Sequence, residues 1–433
     1  MIKTRDTIIL AVIAAVSLIF SLSTHSGSQP TEKFKMQTLL RDVQLHFDAV
    51  ERIAIHRNGL RMTFEKIKGE WWQQLPFPMR MNHPSMLSLI ETAQGVQVLG
   101  ELAAGQPLEG LGLGEGANMI ELSDGMSTVS VRLGRKTLGG RAYASIAGGA
   151  GVLVDQSLHK RAIDMDHRLW RDIRLFPDFA IDGSLIEREV DGDRLLLERN
   201  SGRWEMREPV SSRVDQGVLQ GWVGKLAAAR VGSFVVDEPS DLYMFGLDTP
   251  TATFKVSDHR GNAHKVLIGG RVSAGSQDRY MMLAGRPVVF TMRWETVSQL
   301  FPKAEVLIDA RGSGVSRFDA KQVTIRSGDR EVILQRDLDR WINVSSDNVL
   351  VDSTTVDALL NWILDTKPLS VAIGQYPIEH EIATVIFAGY DLLPIDSVRI
   401  AQTEKGEWIL ENGDNVLRLH ASDSGDVLTP FIH

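Results

Sequence analysis

The sequence predicts an α+β protein: one N-terminal transmembrane helix, then three tandem repeats of an antiparallel sheet with helices packed on one face. Three observations carry that expectation. An uncharged apolar run lies near the amino terminus, a strand–turn–tryptophan motif recurs at near-constant spacing, and an amphipathic helix pattern follows each recurrence.

The apolar run occupies residues 7–23 (TIILAVIAAVSLIFSLS). As a helix it rises roughly 26 Å, just short of a typical hydrocarbon core. Lys3 and Arg5 precede it, and a polar stretch (THSGSQPTEK) follows. Positive charge before the span places the amino terminus in the cytoplasm and the bulk of the chain outside it. A cleavable signal peptide is the competing reading, with Ser21-Leu22-Ser23 as a passable cleavage site, but the length of the apolar run favours an uncleaved anchor.

The recurring motif reads LRMTFEKIKGEWWQQLPFP around Trp71, DRLLLERNSGRWEMREPV around Trp204 and REVILQRDLDRWINV around Trp341. At an offset of 133 residues, Phe64 aligns with Leu197, Gly69 with Gly202, Trp71 with Trp204 and Pro76 with Pro209. At a further 137, Leu197 aligns with Leu334, Arg199 with Arg336 and Trp204 with Trp341. Alternating apolar residues in the paired strands put one face into a core. Helix patterns follow near residues 84–94, 215–231 and 353–364, with Val218, Trp222, Leu226 and Ala229 as the apolar face of the second. Asp215 and Ser353 are the expected N-caps. A Gly-Leu turn comes next, at Gly112-Leu113 and Gly246-Leu247, and introduces a further hairpin.

A last strand and short helix close the first two copies before Asp172-Ile173-Arg174 and Asp309-Ala310-Arg311, which mark the joints. Each copy is therefore about 130 residues in the order ββ–α–ββββ–α, a usual domain size. The expected division is a cytoplasmic N-terminus (1–6), the anchor (7–23), a linker (24–47) and modules at 48–176, 177–313 and 314–433. Trp71, Trp204 and Trp341 are expected to anchor sheet to helix. Trp72, Trp170 and Trp294 lack such a role and are the candidate partner contacts.

Composition bounds the chemistry. The 433 residues are 43% hydrophobic and 24% charged, the balance of a folded chain. A formal charge of −8 argues against general nucleic-acid binding, which needs a basic surface to displace counterions from phosphate. There is no cysteine, so disulfides, thiolate catalysis and cysteine metal sites are out of reach. The glycine-rich run at residues 110–116 lies between a helix and a strand, not after a strand as a nucleotide loop requires, and no Walker A motif exists. His380-Glu381 has no His at i+4, and the 11 histidines show no ligand spacing. Gly312-Ser313-Gly314 is no nucleophile elbow and reads as a flexible linker at a module joint. No residue is expected to be catalytic, to ligate a metal or to hold a cofactor.

The paired strands with Gly202, Trp204 and Pro209, the Tyr243-x-x-Gly246-Leu247 turn, the hairpin ending Leu267-Ile268-Gly269 and the Asp-x-Arg joint resemble the domain of unknown function 4340 family. That family occurs in bacterial membrane proteins encoded beside ABC-2-type and gliding-motility-type ABC transporters. The resemblance runs from about Asp48 to the end of the chain. Copy one lacks the Tyr before its Gly-Leu turn, and copy three lacks both the Pro and the Gly-Leu. It implies a non-enzymatic accessory or adaptor subunit, tethered to the bacterial cytoplasmic membrane by residues 7–23. It also implies the permease and ATPase subunits of such a transporter as partners, with this chain acting on the periplasmic face. The alternative is a periplasmic ligand-binding or sensory module for an envelope glycan or lipid, with an aromatic-lined pocket between modules. An envelope hydrolase comes third and needs carboxylates converging across a joint.

Overall fold

The computed structural model describes residues 37–102, 106–147, 149–177, 183–374 and 381–432. The apolar run at 7–23 and His380 lie outside them. Among the described residues no helix is long and apolar enough to cross a membrane.

Three antiparallel sheets follow one another along the chain. The first holds β1 (Gln37–Thr38), β2 (Arg52–Arg57), β3 (Leu60–Ile67), β4 (Glu70–Leu75), β5 (Met79–Arg80), β6 (Gln97–Glu101), β7 (Asn118–Ser123), β8 (Thr128–Thr137), β9 (Arg141–Ile146) and β10 (Val152–Asp155). The second holds β11 (Gly183–Val190), β12 (Asp193–Asn200), β13 (Arg203–Glu208), β14 (Ser212–Arg213), β15 (Ser233–Asp237), β16 (Ala252–Asp258), β17 (Ala263–Arg271), β18 (Arg279–Leu283) and β19 (Val288–Met292). The third holds β20 (Gln322–Ser327), β21 (Arg330–Asp337), β22 (Arg340–Asn343), β23 (Val349–Val351), β24 (Ser370–Ile373), β25 (Glu381–Ala388), β26 (Pro394–Gln402), β27 (Trp408–Glu411) and β28 (Val416–His420).

All three share one nine-strand order, β14-β13-β12-β11-β16-β17-β18-β19-β15 in the second, to which β1 adds an outer strand beside β6 in the first. Sequence periodicity anticipated six strands per module. The three it missed are the strand carrying the tryptophan, the very short fourth strand and the strand after the helix. The tryptophan does not end the second strand but opens the third, across a two-residue turn. In that turn Lys68 and Gly69 have φ of 51° and 86°, and Ser201 and Gly202 have 48° and 83°. Two left-handed residues in succession match the twist of the flanking strands, and Gly reaches that region without a Cβ penalty. Pro76 and Pro209 each follow a cis peptide bond in the next turn.

One principal helix serves each module: α1 (His83–Gly95), α2 (Gln216–Ala228) and α3 (Ser353–Leu364). Asn82, Asp215 and Asp352 cap them, each accepting a backbone N–H from the first turn. The third cap is thus Asp352 rather than Ser353, which is already helical. On α2 the buried residues are Leu219, Trp222 and Leu226, at i, i+3 and i+7, while Val218 is exposed. The face turned to the core is centred on these three, and Val218 falls at its margin, turned to solvent.

Each sheet and its helix enclose one core. Trp71, Phe64, Met86, Leu89 and Trp170 belong to the first. Phe254, Trp222, Phe290 and Leu307 belong to the second, and Trp341, Leu360, Trp408 and Phe387 to the third. The chain divides into two compact units after Asp172. The first unit holds the first sheet, and the second holds the other two. Leu175 and Phe176, at the end of the expected first module, are buried in the core of the second sheet. Val416 of β28 is buried in that same core, with Val371 and Ile373 of β24 packed against it. Apolar contact therefore joins modules two and three.

Candidate functional site

Chemistry concentrates where modules two and three meet. The fourth strand there is only two residues long, and it is lengthened by the segment that ends in Asp-x-Arg. Val214 and Ile308 form an antiparallel bridge, the Asp309 N–H donates to the Arg213 carbonyl at 2.9 Å, and the Asp215 N–H donates to the Leu307 carbonyl at 2.9 Å. The first unit repeats the device: Met81 bridges Arg171, the Asp172 N–H donates to the Arg80 carbonyl at 3.0 Å, and the Asn82 N–H donates to the Trp170 carbonyl at 2.7 Å. In both, the Asp carboxylate faces the arginine of the short strand, at 3.4 Å for Asp172–Arg80 and 3.7 Å for Asp309–Arg213. The Asp-x-Arg was visible in the sequence but its partner arginine was not. Its signal is the recurrence of Arg80-Met81-Asn82 as Arg213-Val214-Asp215 just ahead of the helix.

At the second joint this clasp widens into a network. Arg311 binds Asp309 through both Nε and Nη2, at 2.9 and 2.7 Å. Arg418, fully buried on β28, donates to both Asp414 carboxylate oxygens at 3.2 and 2.8 Å and to the Asp309 and Val416 carbonyls. The Ser212 hydroxyl donates to Asp414 at 2.7 Å, and Ser313 donates to Asp396 at 2.5 Å. Arg213 lies 3.6 Å from Asp396. Three arginines thus meet three aspartates, so the cluster is close to neutral.

Burial pushes the Asp309 and Asp414 carboxyls up, but their arginine hydrogen bonds outweigh it and hold both below the usual range. Arg213 is lowered, first by burial and then by Arg418. His420, 1% exposed two residues along β28, is pushed down to about 4 by burial and by the Arg418 charge, and its ring lies edge-on to Trp362 at 5.9 Å. A histidine kept neutral when folded but titrating near 6.5 when unfolded contributes stability above pH 6.5 that is lost as the pH falls to about 4. Urea unfolding at pH 7 and pH 4.5 is therefore expected to show a loss of roughly 2–3 kcal/mol from this group. The His420→Phe variant is expected to lose measurably less over that interval.

Two cavities of about 470 and 430 Å³ flank Arg213. Arg207, Ser212, Asn412 and Asp414 line one, and Arg203, Trp204, Gln216 and Asp396 line the other. Trp204 is the one aromatic residue in either lining. Ser313 is fully buried, and a Cβ at Gly312 would meet Ile363 and Leu410. The Gly312-Ser313-Gly314 segment is therefore a close-packed crossing and not the flexible linker expected, because glycine there admits the approach of α3 and β27. Among the described residues no group of three or more His, Asp or Glu is placed to hold a metal ion.

The expected anchor residues are dispersed, one set per core. Trp71 and Trp341 are buried at 0% and 3%, whereas Trp204 is only half-buried and borders a cavity. Arg336 lies over the Trp341 ring at 4.8 Å. Gly112 and Gly246 both end short 3-10 turns in the left-handed region, and each turn rests on a glycine of the next hairpin, Gly134 or Gly269. A Cβ on Gly269 would run into the Phe245 carbonyl oxygen. Gly269→Ala is expected to destabilise the second unit by about 1–3 kcal/mol, while Gly221→Ala, an open helical position in α2, is expected to be neutral to stabilising by about 0.5–1 kcal/mol. Thermal melts of both variants check the pair. Of the candidate partner contacts, Trp294 is 39% exposed under the Arg279 guanidinium and Trp72 is half-buried. Trp170 is a correction: it is 1% exposed, packed edge-on to Phe64 at 5.9 Å, and has no surface to offer a partner. Its place beside the closing segment puts it in the core.

These features define a class, tandem α+β modules built on a single nine-strand order, the first two each closed by the same Asp–Arg clasp. Residues 204–376 match the family model of a domain of unknown function (DUF4340). The match begins at Trp204 on β13 and ends just beyond β24. No curated protein and no solved structure matches the chain.

Proposed function

We propose that this chain is a non-enzymatic accessory or adaptor subunit of a bacterial ABC-2-type, gliding-motility-like transporter complex. In this reading residues 7–23 tether it to the cytoplasmic membrane, and the modules meet the membrane-spanning permease from the periplasmic side, with the ATPase as the cytoplasmic subunit of the same complex. The observation that carries it is the threefold use of one sheet order. The residues the copies share (Trp71, Trp341, Gly69, Gly202, Asp172, Asp309) serve turns, cores and joints in the described structure. Repetition of that kind builds extended surface for partners, as in other repeat proteins. No cofactor and no nucleic acid enters this reading, in keeping with the charge of −8.

Purification from detergent-solubilised membranes tests it. Co-recovery of an ABC permease and ATPase is expected, and a monodisperse chain without either would sink the proposal. The two cavities beside Arg213 favour a second reading, a periplasmic module for a polar envelope ligand. Their charged linings suit an anionic or hydroxyl-rich head group better than an aromatic-stacked sugar. A thermal-shift screen with envelope glycans and lipids is then expected to show stabilisation, and a flat screen removes that alternative.

A further inference from the structure

We propose that the free edge of the third sheet, strand β23, is a docking site for an extended apolar segment of a partner polypeptide. The inference stands on the repeat geometry and does not depend on the transporter reading.

In the first two modules the short fourth strand is never left as an edge. Arg171 and Ile308 bridge across to Met81 and Val214, and the flanking N–H and carbonyl groups are paired. Met81 and Val214 are consequently buried at 1% and 3%. The third module places β23 in the same position, with Val351 opposite Trp341 and Leu350 opposite Ile342. Among the described residues β23 pairs with β22 alone, and none bonds the Leu350 carbonyl or the Asp352 N–H, the counterparts of the groups used in the other two. Val351 is only half-buried, and Val349 and Leu350 are 57% and 61% exposed. An unpaired edge with apolar side chains is a template for a further strand.

The chemistry of the occupant follows from one replacement. Arg80 and Arg213 each face the Asp of the closing segment, and the equivalent residue on β23 is Leu350. An incoming strand that carried Asp opposite Leu350 would bury a carboxylate with no cation to meet it. The edge therefore selects a strand with an apolar residue at that place. Main-chain bonds to Leu350 and Asp352 would supply affinity, and the side chain facing Leu350 would supply specificity.

The probes are two labelled peptides of residues 304–311 of this chain, one with the natural sequence and one carrying Asp309→Leu, titrated against the full chain by fluorescence anisotropy. The Asp309→Leu peptide is expected to bind at least about tenfold tighter than the natural one. The Leu350→Arg variant is expected to reverse that order. Leu350→Pro, which removes an edge N–H and sets a ring against the incoming strand, is expected to abolish binding at an unchanged melting temperature. Failure of both peptides to bind overturns the proposal, as does equal binding of the Asp309→Leu peptide to all three proteins. If the chain self-associates and Leu350→Pro returns it to a monomer, the occupant is a second copy and the partner assignment is overturned.

Discussion

Replacing Arg418 with methionine is expected to lower the stability of the unit built from modules two and three by about 3–5 kcal/mol. Arg418 is wholly buried and spends its donors on the Asp414 carboxylate and on two backbone carbonyls. Methionine fills much of the same volume, so the expected loss comes from the charge left behind. Asp414 would keep Ser212, the Asn412 side-chain amide and a backbone N–H, all neutral donors, in place of the buried guanidinium that binds both its oxygens. Asp309 would fare better, because Arg311 and Arg213 still face it. The double variant Arg418→Met with Asp414→Asn is therefore expected to recover part of the loss. Urea denaturation of wild type, both single variants and the double variant checks this. Additive losses across the cycle would show that the two residues do not act as a pair.

Trp71→Ala is expected to cost about 3–5 kcal/mol, and Trp204→Ala clearly less, although the two residues are repeat-equivalent. The Trp71 ring is wholly buried in the core that also holds Met62, Phe64 and the buried face of α1, so its removal leaves a cavity that rigid neighbours fill poorly. Trp204 stands half-exposed at the rim of a cavity, and its truncation leaves space that water can enter. Trp71→Phe is the finer probe. The indole N–H has no hydrogen-bond partner in the described structure, so phenylalanine gives up volume without breaking a polar contact. Its cost is expected to be well below that of alanine. Thermal unfolding of the three variants, followed by tryptophan fluorescence and circular dichroism, orders them. Equal losses for Trp71→Ala and Trp204→Ala would contradict the difference in burial.

Much of the module was legible before any coordinates. Alternation at Met62 and Phe64, and at Leu195 and Leu197, marks residues that are wholly buried. The recurring Gly marks a turn, although the strand that the Trp opens beyond it was read as the end of the strand before. Those signals are local, and each spans enough residues to repeat. The strands that escaped notice had no such signal. β14 is two residues long, too short to alternate, and β15 is an edge strand with no fully buried residue. The joint was half-legible. Asp309 and Arg311 stood out by recurrence, but Arg213 lies 96 residues before Asp309 and nothing local ties them.

The sequence by itself determined the α+β character, the threefold repetition and the buried face of the paired strands, because periodic burial and turn chemistry are written over short stretches. Tertiary structure alone decided the nine-strand order, the burial of Trp170 and Ser313, and the union of modules two and three in one unit. It also decided that Arg213 and Arg418 enter one network of aspartates, and that among the described residues β23 keeps an open edge where β5 and β14 are covered. Each of these depends on which distant segments meet. That is fixed by the summed packing of whole faces and by the need to pair every buried charge and backbone group, conditions that no window of sequence contains.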